Sequence, residues 1–171
     1  MKELIFPVNE EDIKDLKVGE MVLISGRIFC GRDAVLPQVI QAINDGTLEE
    51  KGIELQGSLI FHTAVSVAGV GPTSSNKAEI EASIKPLSEA GVKMHLGKGQ
   101  LKPETIKALD ENNSVYAVIP PVTALLGNRT LSSRVVAFEN EGMEALHELT
   151  VDKYPAVIAA AHGKSIYDKE V

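Results

Sequence analysis

Gly71-Pro72-Thr73-Ser74-Ser75-Asn76-Lys77 places a glycine, a proline and a run of hydroxyl side chains at the end of an apolar, strand-like stretch, directly before a helix-like pattern. Backbone N–H groups at a helix start have no intrahelical partners, and the helix dipole adds partial positive charge there. Such a loop is therefore suited to hold a carboxylate or a phosphate. The hydroxyls and the Lys77 ammonium complete the cradle. The same residues also fit a plain helix start, with Asn76 as N-cap and Glu79 as its capping-box partner. Two further cations stand where strand-like runs give way to glycine: Arg32 after Gly31, and Lys98 inside Gly97-Lys98-Gly99. Ligands of α/β folds collect at strand ends. There an arginine grips a carboxylate bidentately and a lysine acts as a point charge. For each cation the alternative is a solvated surface position.

Other chemistries find less support. His62 and His95 lie in strand-like runs, His147 in a helix-like one and His162 beside Gly163. None has the spacing of a metal pair, and all four read as packing residues. Cys30 falls on a strand face without an evident activating base, which reads as a structural thiol. There is no nucleophile elbow, P-loop or dinucleotide fingerprint. With Cys30 the single cysteine, the chain can form no internal disulfide and cannot hold an iron–sulfur cluster, which takes three or four thiolates. No metal-ligating or cofactor-binding residue is expected on it.

These residues must be positioned by alternating elements. Asn9 before Glu10, Glu11 and Asp12 marks a capped, acidic helix start. Glu20 to Cys30 reads as a strand with Val22, Ile24, Ile28 and Cys30 on one face and a bulge or close approach at Gly26. Asp33 is placed to cap a helix carrying Leu36, Val39, Ile40 and Ile43, ended by Gly46. Residues 47–57 read as a polar surface connection, and Ser58 to Val70 as a strand or hairpin. In the helix that follows, Pro86 is expected to kink or split the element. Val92 to Leu96, Val115 to Ile119, Leu131 to Phe138 and Ala156 to Ala161 read as strands, Pro103 as a helix start, and Asn140 as the cap of a helix carrying Met143, Leu146 and Leu149. The class is α/β with mixed sheets and flanking helices.

The length of 171 residues suits a single domain, 1–171. A net charge of −7 with no basic cluster argues against nucleic acid as a partner. No apolar run approaches the ~20 residues of a membrane span, and the first residues do not read as a signal peptide. A cytoplasmic protein is expected.

In order and spacing, Gly31-Arg32-Asp33-Ala34, Gly71-Pro72-Thr73-Ser74-Ser75 and Gly97-Lys98-Gly99 resemble the C-terminal domain of class I fumarate hydratases. That domain also occurs as the β subunit of two-subunit fumarases and L(+)-tartrate dehydratases. Gly142-Met143-Glu144-Ala145, Val151 and Tyr154-Pro155-Ala156 extend the resemblance over nearly the whole chain. It implies a swivelling β/β/α domain and a hydro-lyase that reversibly hydrates or dehydrates a four-carbon dicarboxylate of fumarate/malate or tartrate type. It implies a [4Fe–4S] cluster held by a partner α subunit, with this chain active only beside that partner, as a homodimer or α2β2 assembly. Carried over by motif, Arg32 and Lys98 match family cations that bind substrate carboxylates, and Lys77 stands as a substrate-binding cation where the family has arginine. Thr73 matches the proton-transfer threonine, with Lys98 as the cation beside it.

The chain departs from the family pattern in places. Lys77-Ala78 stands where the family has Arg-Met, which keeps the charge and loses the bidentate fork. Val35-Leu36-Pro37 replaces Ala-His after the Arg-Asp-Ala run, Pro120-Pro121-Val122-Thr123 replaces a glycine- and alanine-rich segment, and Ala160 stands where an aspartate is expected. The competing expectation is a non-catalytic anion-binding or interaction domain that retains the fold.

Overall fold

Alternating apolar side chains decide which face of each strand is interior, and here that alternation builds two layers on one sheet. The computed structural model describes residues 2–66, 69–73, 77–119 and 129–167, with 64–66, 69–73 and 77–80 described along the backbone. In chain order the elements are β1 (Lys2–Phe6), α1 (Glu10–Ile13), β2 (Met21–Cys30), α2 (Leu36–Asp45), β3 (Leu59–Phe61), β4 (Thr63–Ser66) and β5 (Gly69–Thr73). They continue with α3 (Lys77–Glu89), β6 (Met94–Gly97), α4 (Pro103–Glu111), β7 (Val115–Val118), β8 (Thr130–Ala137), β9 (Leu146–Ala161) and β10 (Lys164–Ser165). Short 3-10 turns lie at Glu49–Lys51 and Glu139–Glu144.

β1, β2, β3, β6 and β7 run parallel as neighbours in that order. Helices supply the crossovers between them, as parallel pairing demands. β9 then pairs antiparallel with both β7 and β2, closing β2, β3, β6, β7 and β9 into a small barrel. Leu59, Phe61, Met94, Leu96, Val115 and Ala117 point into that barrel with Val22, Ile24, Ile28 and Cys30. The residues between them, among them Ile60 and Tyr116, face the helices. The alternation is the pleat made visible: successive side chains go to opposite layers.

Local chemistry sets several element ends. The Asn9 side chain accepts from the Asp12 N–H while Asp12 accepts from the Asn9 N–H, a complete capping box at the start of α1. Gly46 ends α2 in the left-handed conformation. The register of β2 against β9 shifts between Ile24 and Gly26, so a bulge does lie there. Gly26 has φ +98, and a Cβ on it would sit 2.3 Å from the Phe6 carbonyl oxygen. Only glycine fits.

Four expectations are corrected. Asp33 does not cap α2, whose N-cap is Val35 without a side-chain cap bond. Of the kink or split expected at Pro86 the split is excluded, since Pro86 lies inside the single helix α3. The 47–57 connection is not purely a surface segment, because Leu48, Ile53 and Leu55 are buried against α2. The helix expected after Asn140 is a 3-10 turn followed by the long strand β9. Leu146 and Leu149 are buried as expected, but between β2 and β8 rather than on a helix face.

Candidate functional site

Parallel strands end on a common rim, and the registers fix which residues meet there. Cys30 is opposite Phe61, Phe61 opposite Leu96 and Leu96 opposite Ala117. Gly31-Arg32, His62-Thr63 and Gly97-Lys98 therefore leave adjacent strands at one edge. Two backbone bonds continue the ladder past the strands: Gly31 N–H to the Phe61 carbonyl, and His62 N–H to the Leu96 carbonyl, both 3.0 Å. Arg32 and Lys98 are separated by β3 alone, a backbone distance of about 10 Å at about 4.8 Å per neighbouring strand.

The hairpin β4–β5 starts from this rim and returns to it, with Thr73 opposite Thr63. Lys77 then opens α3. The backbone thus brings all four sequence-derived positions, Arg32, Thr73, Lys77 and Lys98, to one end of the sheet. The side chains of Thr73 and Lys77, and residues Ser74, Ser75 and Asn76, lie outside the described residues, as does the Pro120-Pro121-Val122-Thr123 segment.

Arg32 is gripped from the side. Its Nε donates to Glu144 Oε1 at 3.0 Å and to Oε2 at 3.4 Å, and Nη2 donates to Oε1 as well. This hydrogen-bonded carboxylate raises the Arg32 pKa further. Glu144 stands at the end of the Glu139–Glu144 turn, whose Glu141 accepts from Gln38 Nε2 at 3.0 Å. The sequence flagged Glu144 only within a family-like run, because its partner is 112 residues away and no local spacing links them.

Lys98 is exposed, on a loop held from below. The buried Tyr116 donates its hydroxyl to the Gly99 carbonyl at 3.3 Å. A Cβ at Gly97 would lie 3.1 Å from the Tyr116 hydroxyl oxygen, tighter than ordinary packing allows. Burial raises the Tyr116 pKa, with smaller contributions from Tyr167 and Glu81. Tyr116 therefore stays a neutral donor, and the glycine before Lys98 is what lets it lie beneath the loop.

Sequence reasoning missed one further arrangement. His62 and His95 are both buried, as packing residues would be, yet they bond to each other: His62 Nε2 lies 3.1 Å from His95 Nδ1. His95 Nε2 in turn meets the Ser88 hydroxyl at 2.9 Å. His62 Nδ1 has no hydrogen-bond partner among the described residues. Desolvation lowers the His62 pKa to about 4 and drives that of His95 well below its ordinary value, so the pair is neutral at pH 7.

The residues present do not fit an iron–sulfur cluster. Cys30 is buried on the barrel interior, where desolvation pushes its thiol pKa up and away from the thiolate that iron requires. Among the described residues no group of three histidine, cysteine or carboxylate side chains could hold a metal ion. No described helix is long and apolar enough to cross a membrane. A cavity of about 790 Å³ lies at the far end of α2, lined by residues such as Ala42, Leu48 and Leu55, and contains none of the rim cations.

Comparison with known proteins identifies the family of the chain as a whole. The family model described as Fumarase C-terminus matches residues 3–170. A Methanocaldococcus jannaschii protein, provisionally named L(+)-tartrate dehydratase subunit beta, is 30% identical over 177 aligned residues, covering 95% of this chain and 89% of that protein. A Geobacillus stearothermophilus protein, provisionally named fumarate hydratase class I, is 28% identical over 181 residues, covering 95% of this chain but only 32% of its own length. The L(+)-tartrate dehydratase subunit beta of Escherichia coli K12 is 26% identical over 134 residues, with 73% of this chain and 64% of that subunit covered. The chain belongs to the Fumarase C-terminus family.

Proposed function

We propose that this chain is the β subunit of an iron–sulfur hydro-lyase acting on a four-carbon dicarboxylate of fumarate/malate or tartrate type. The observation that carries the proposal is the convergence of Arg32, Thr73, Lys77 and Lys98 on one rim of the sheet in a member of this family. Arg32 offers a planar fork for one carboxylate, while Lys98 and Lys77 add point charges for the rest of the dianion. Thr73 handles a proton beside a carboxylate. A threonine hydroxyl is a weak base at its ordinary pKa, so this role needs activation by Lys98 or by backbone N–H groups at the start of α3.

On this reading the [4Fe–4S] cluster is carried by an α partner, as the unsuitability of Cys30 supports, and supplies Lewis-acid chemistry at the substrate hydroxyl. The chain acts as one swivelling β/β/α domain spanning 1–171, in the cytoplasm, within a homodimer or α2β2 assembly. The test is anaerobic co-expression with an α subunit, followed by fumarate absorbance. Turnover that falls on Lys98→Ala supports the assignment. An inactive complex together with unchanged dicarboxylate affinity in Lys98→Ala would sink it, and binding without turnover would favour a non-catalytic anion-binding domain.

A further inference from the structure

Ser88, His95 and His62 are all buried and stand in one line of hydrogen bonds. The Ser88 hydroxyl meets His95 Nε2 at 2.9 Å, and His95 Nδ1 meets His62 Nε2 at 3.1 Å. Counting donors gives the line a direction. If Ser88 donates to His95 Nε2, His95 carries its proton on Nδ1 and donates to His62 Nε2. That order leaves one group without a partner among the described residues, Nδ1 of His62. The reverse order would strand the Ser88 proton as well, since among the described residues Ser88 Oγ bonds to His95 alone. Each stranded buried group destabilises the fold. The line therefore runs from Ser88 through His95 to His62.

Each member belongs to a segment that leads to the rim. His62 follows β3 and precedes Thr63, which stands opposite Thr73 in the hairpin. His95 lies in β6, whose last residue, Gly97, precedes Lys98. Ser88 is in the last turn of α3, the helix that Lys77 opens. β3 and β6 are already held in register by their ladder, which the bond from His62 N–H to the Leu96 carbonyl extends. A helix has no such ladder to a sheet. Ile84 and Leu87 pack α3 on the sheet by apolar contact, which is non-directional and sets rotation and sliding only weakly. Hydrogen bonds in a dry interior are stronger than in water, and a polar line whose members are bonded to one another selects one arrangement. The Ser88–His95 bond thus fixes α3 along and around its axis, and the His95–His62 bond spreads that hold over two strands.

We propose that His95 is a positioning residue for the dicarboxylate site: bonded to Ser88 on one side and His62 on the other, it locks the placement of α3, and so of Lys77, against the strands that lead to Lys98 and Thr73. The inference rests on the assignment of those residues to the anion site made above. His95 acts through its neighbours, because its own side chain is closed to solvent and touches no ligand. It gives a role to a buried histidine pair where apolar side chains would fill the same space.

The test uses the full chain with succinate as the probe, read by calorimetry for affinity and by thermal scan for stability. His95→Met is apolar, cuts both bonds and should weaken succinate binding about tenfold. Ser88→Ala cuts only the bond to α3 and should weaken it about threefold, and it carries the test if His95→Met does not fold. In a Lys77→Ala background Ser88→Ala should lose nothing further, because the cation that α3 places is gone. Combining His62→Phe, His95→Met and Ser88→Ala removes every polar group of the line, so none is left stranded. The melting temperature should then recover most of what His95→Met loses, while succinate affinity stays low. That split separates positioning from packing. In a reconstituted complex the loss should appear in KM more than in kcat. Affinity that returns together with the melting temperature would overturn the proposal, and so would full additivity of Lys77→Ala and Ser88→Ala. Succinate binding that depends on Lys98 but ignores both Ser88 and His95 would remove this inference and leave the hydro-lyase reading standing. No succinate binding at all would remove both.

Discussion

His62 and His95, 33 positions apart in the chain, share a hydrogen bond of 3.1 Å in a region closed to water. Both pKa values are lowered by desolvation, and His95 is lowered further by His62. In the unfolded chain each would titrate near 6.5. Below that pH the unfolded state takes up protons that the folded state refuses. Stability is therefore intact above about 6.5 and falls as pH drops toward the folded value of about 4 for His62. At pH 5.5 the loss from His62 should be roughly 1 kcal/mol, and His95 adds to it in the same direction. Urea unfolding at pH 7.5 and 5.5 measures it, and His62→Gln should flatten the slope. A wild-type slope equal to that of the variant would refute the linkage.

Lys98 is exposed on its loop, so its removal should leave the fold alone and act on the ligand. Lys98→Ala is expected to leave the melting temperature within about 2 °C, as for a surface substitution worth under about 0.5 kcal/mol. Dicarboxylate affinity should drop about tenfold or more with the loss of a charged contact. Thermal scans with and without succinate separate the two effects.

Tyr116 supports that loop from beneath. Tyr116→Phe removes the bond to the Gly99 carbonyl and should cost about 1 kcal/mol of stability. The loosened loop should also raise KM for the dicarboxylate. Gly97→Ala places a methyl group against the same ring and should cost about 1–3 kcal/mol by overpacking. Combining it with Tyr116→Phe, which removes the closest atom, should return part of that cost.

The capping box at α1 gives a change remote from the rim. Asn9→Ala should destabilise the protein by about 1 kcal/mol. Dicarboxylate affinity should be untouched. A change in affinity of the same size would show that the first helix is coupled to the site.

What could be read from the sequence was what depends on neighbours in the chain. Asn9 ahead of its acidic run, Gly46 past the apolar face of α2 and the alternation of Val22, Ile24, Ile28 and Cys30 are local signals, and each element followed. The strand-end positions of Arg32 and Lys98 were legible for the same reason. Of β9 only the end, Ala156 to Ala161, was read as a strand; its first half was not, because apolar residues three apart at Leu146 and Leu149 fit a helix face. The spacing of Met143, Leu146 and Leu149 then imitates a helix face, although Met143 is exposed. β1 was not assigned because five residues of mixed polarity carry little pattern. The Arg32–Glu144 and His62–His95 pairs are contacts between distant segments, and nothing in the local composition encodes them.

The barrel closes through pairing of Met21–Cys30 with residues of β9, from Val157 back to His147. During synthesis β2 and Arg32 leave the ribosome long before their lateral partners in β9. Contacts that distant are slow to form, since the intervening chain must be ordered first. Until the residues beyond 146 emerge, β2 presents an unpaired edge and Arg32 has no Glu144 to hold it. A nascent chain stalled short of that point is therefore a natural client for a chaperone, and the Arg32–Glu144 pair forms only once β9 has been made.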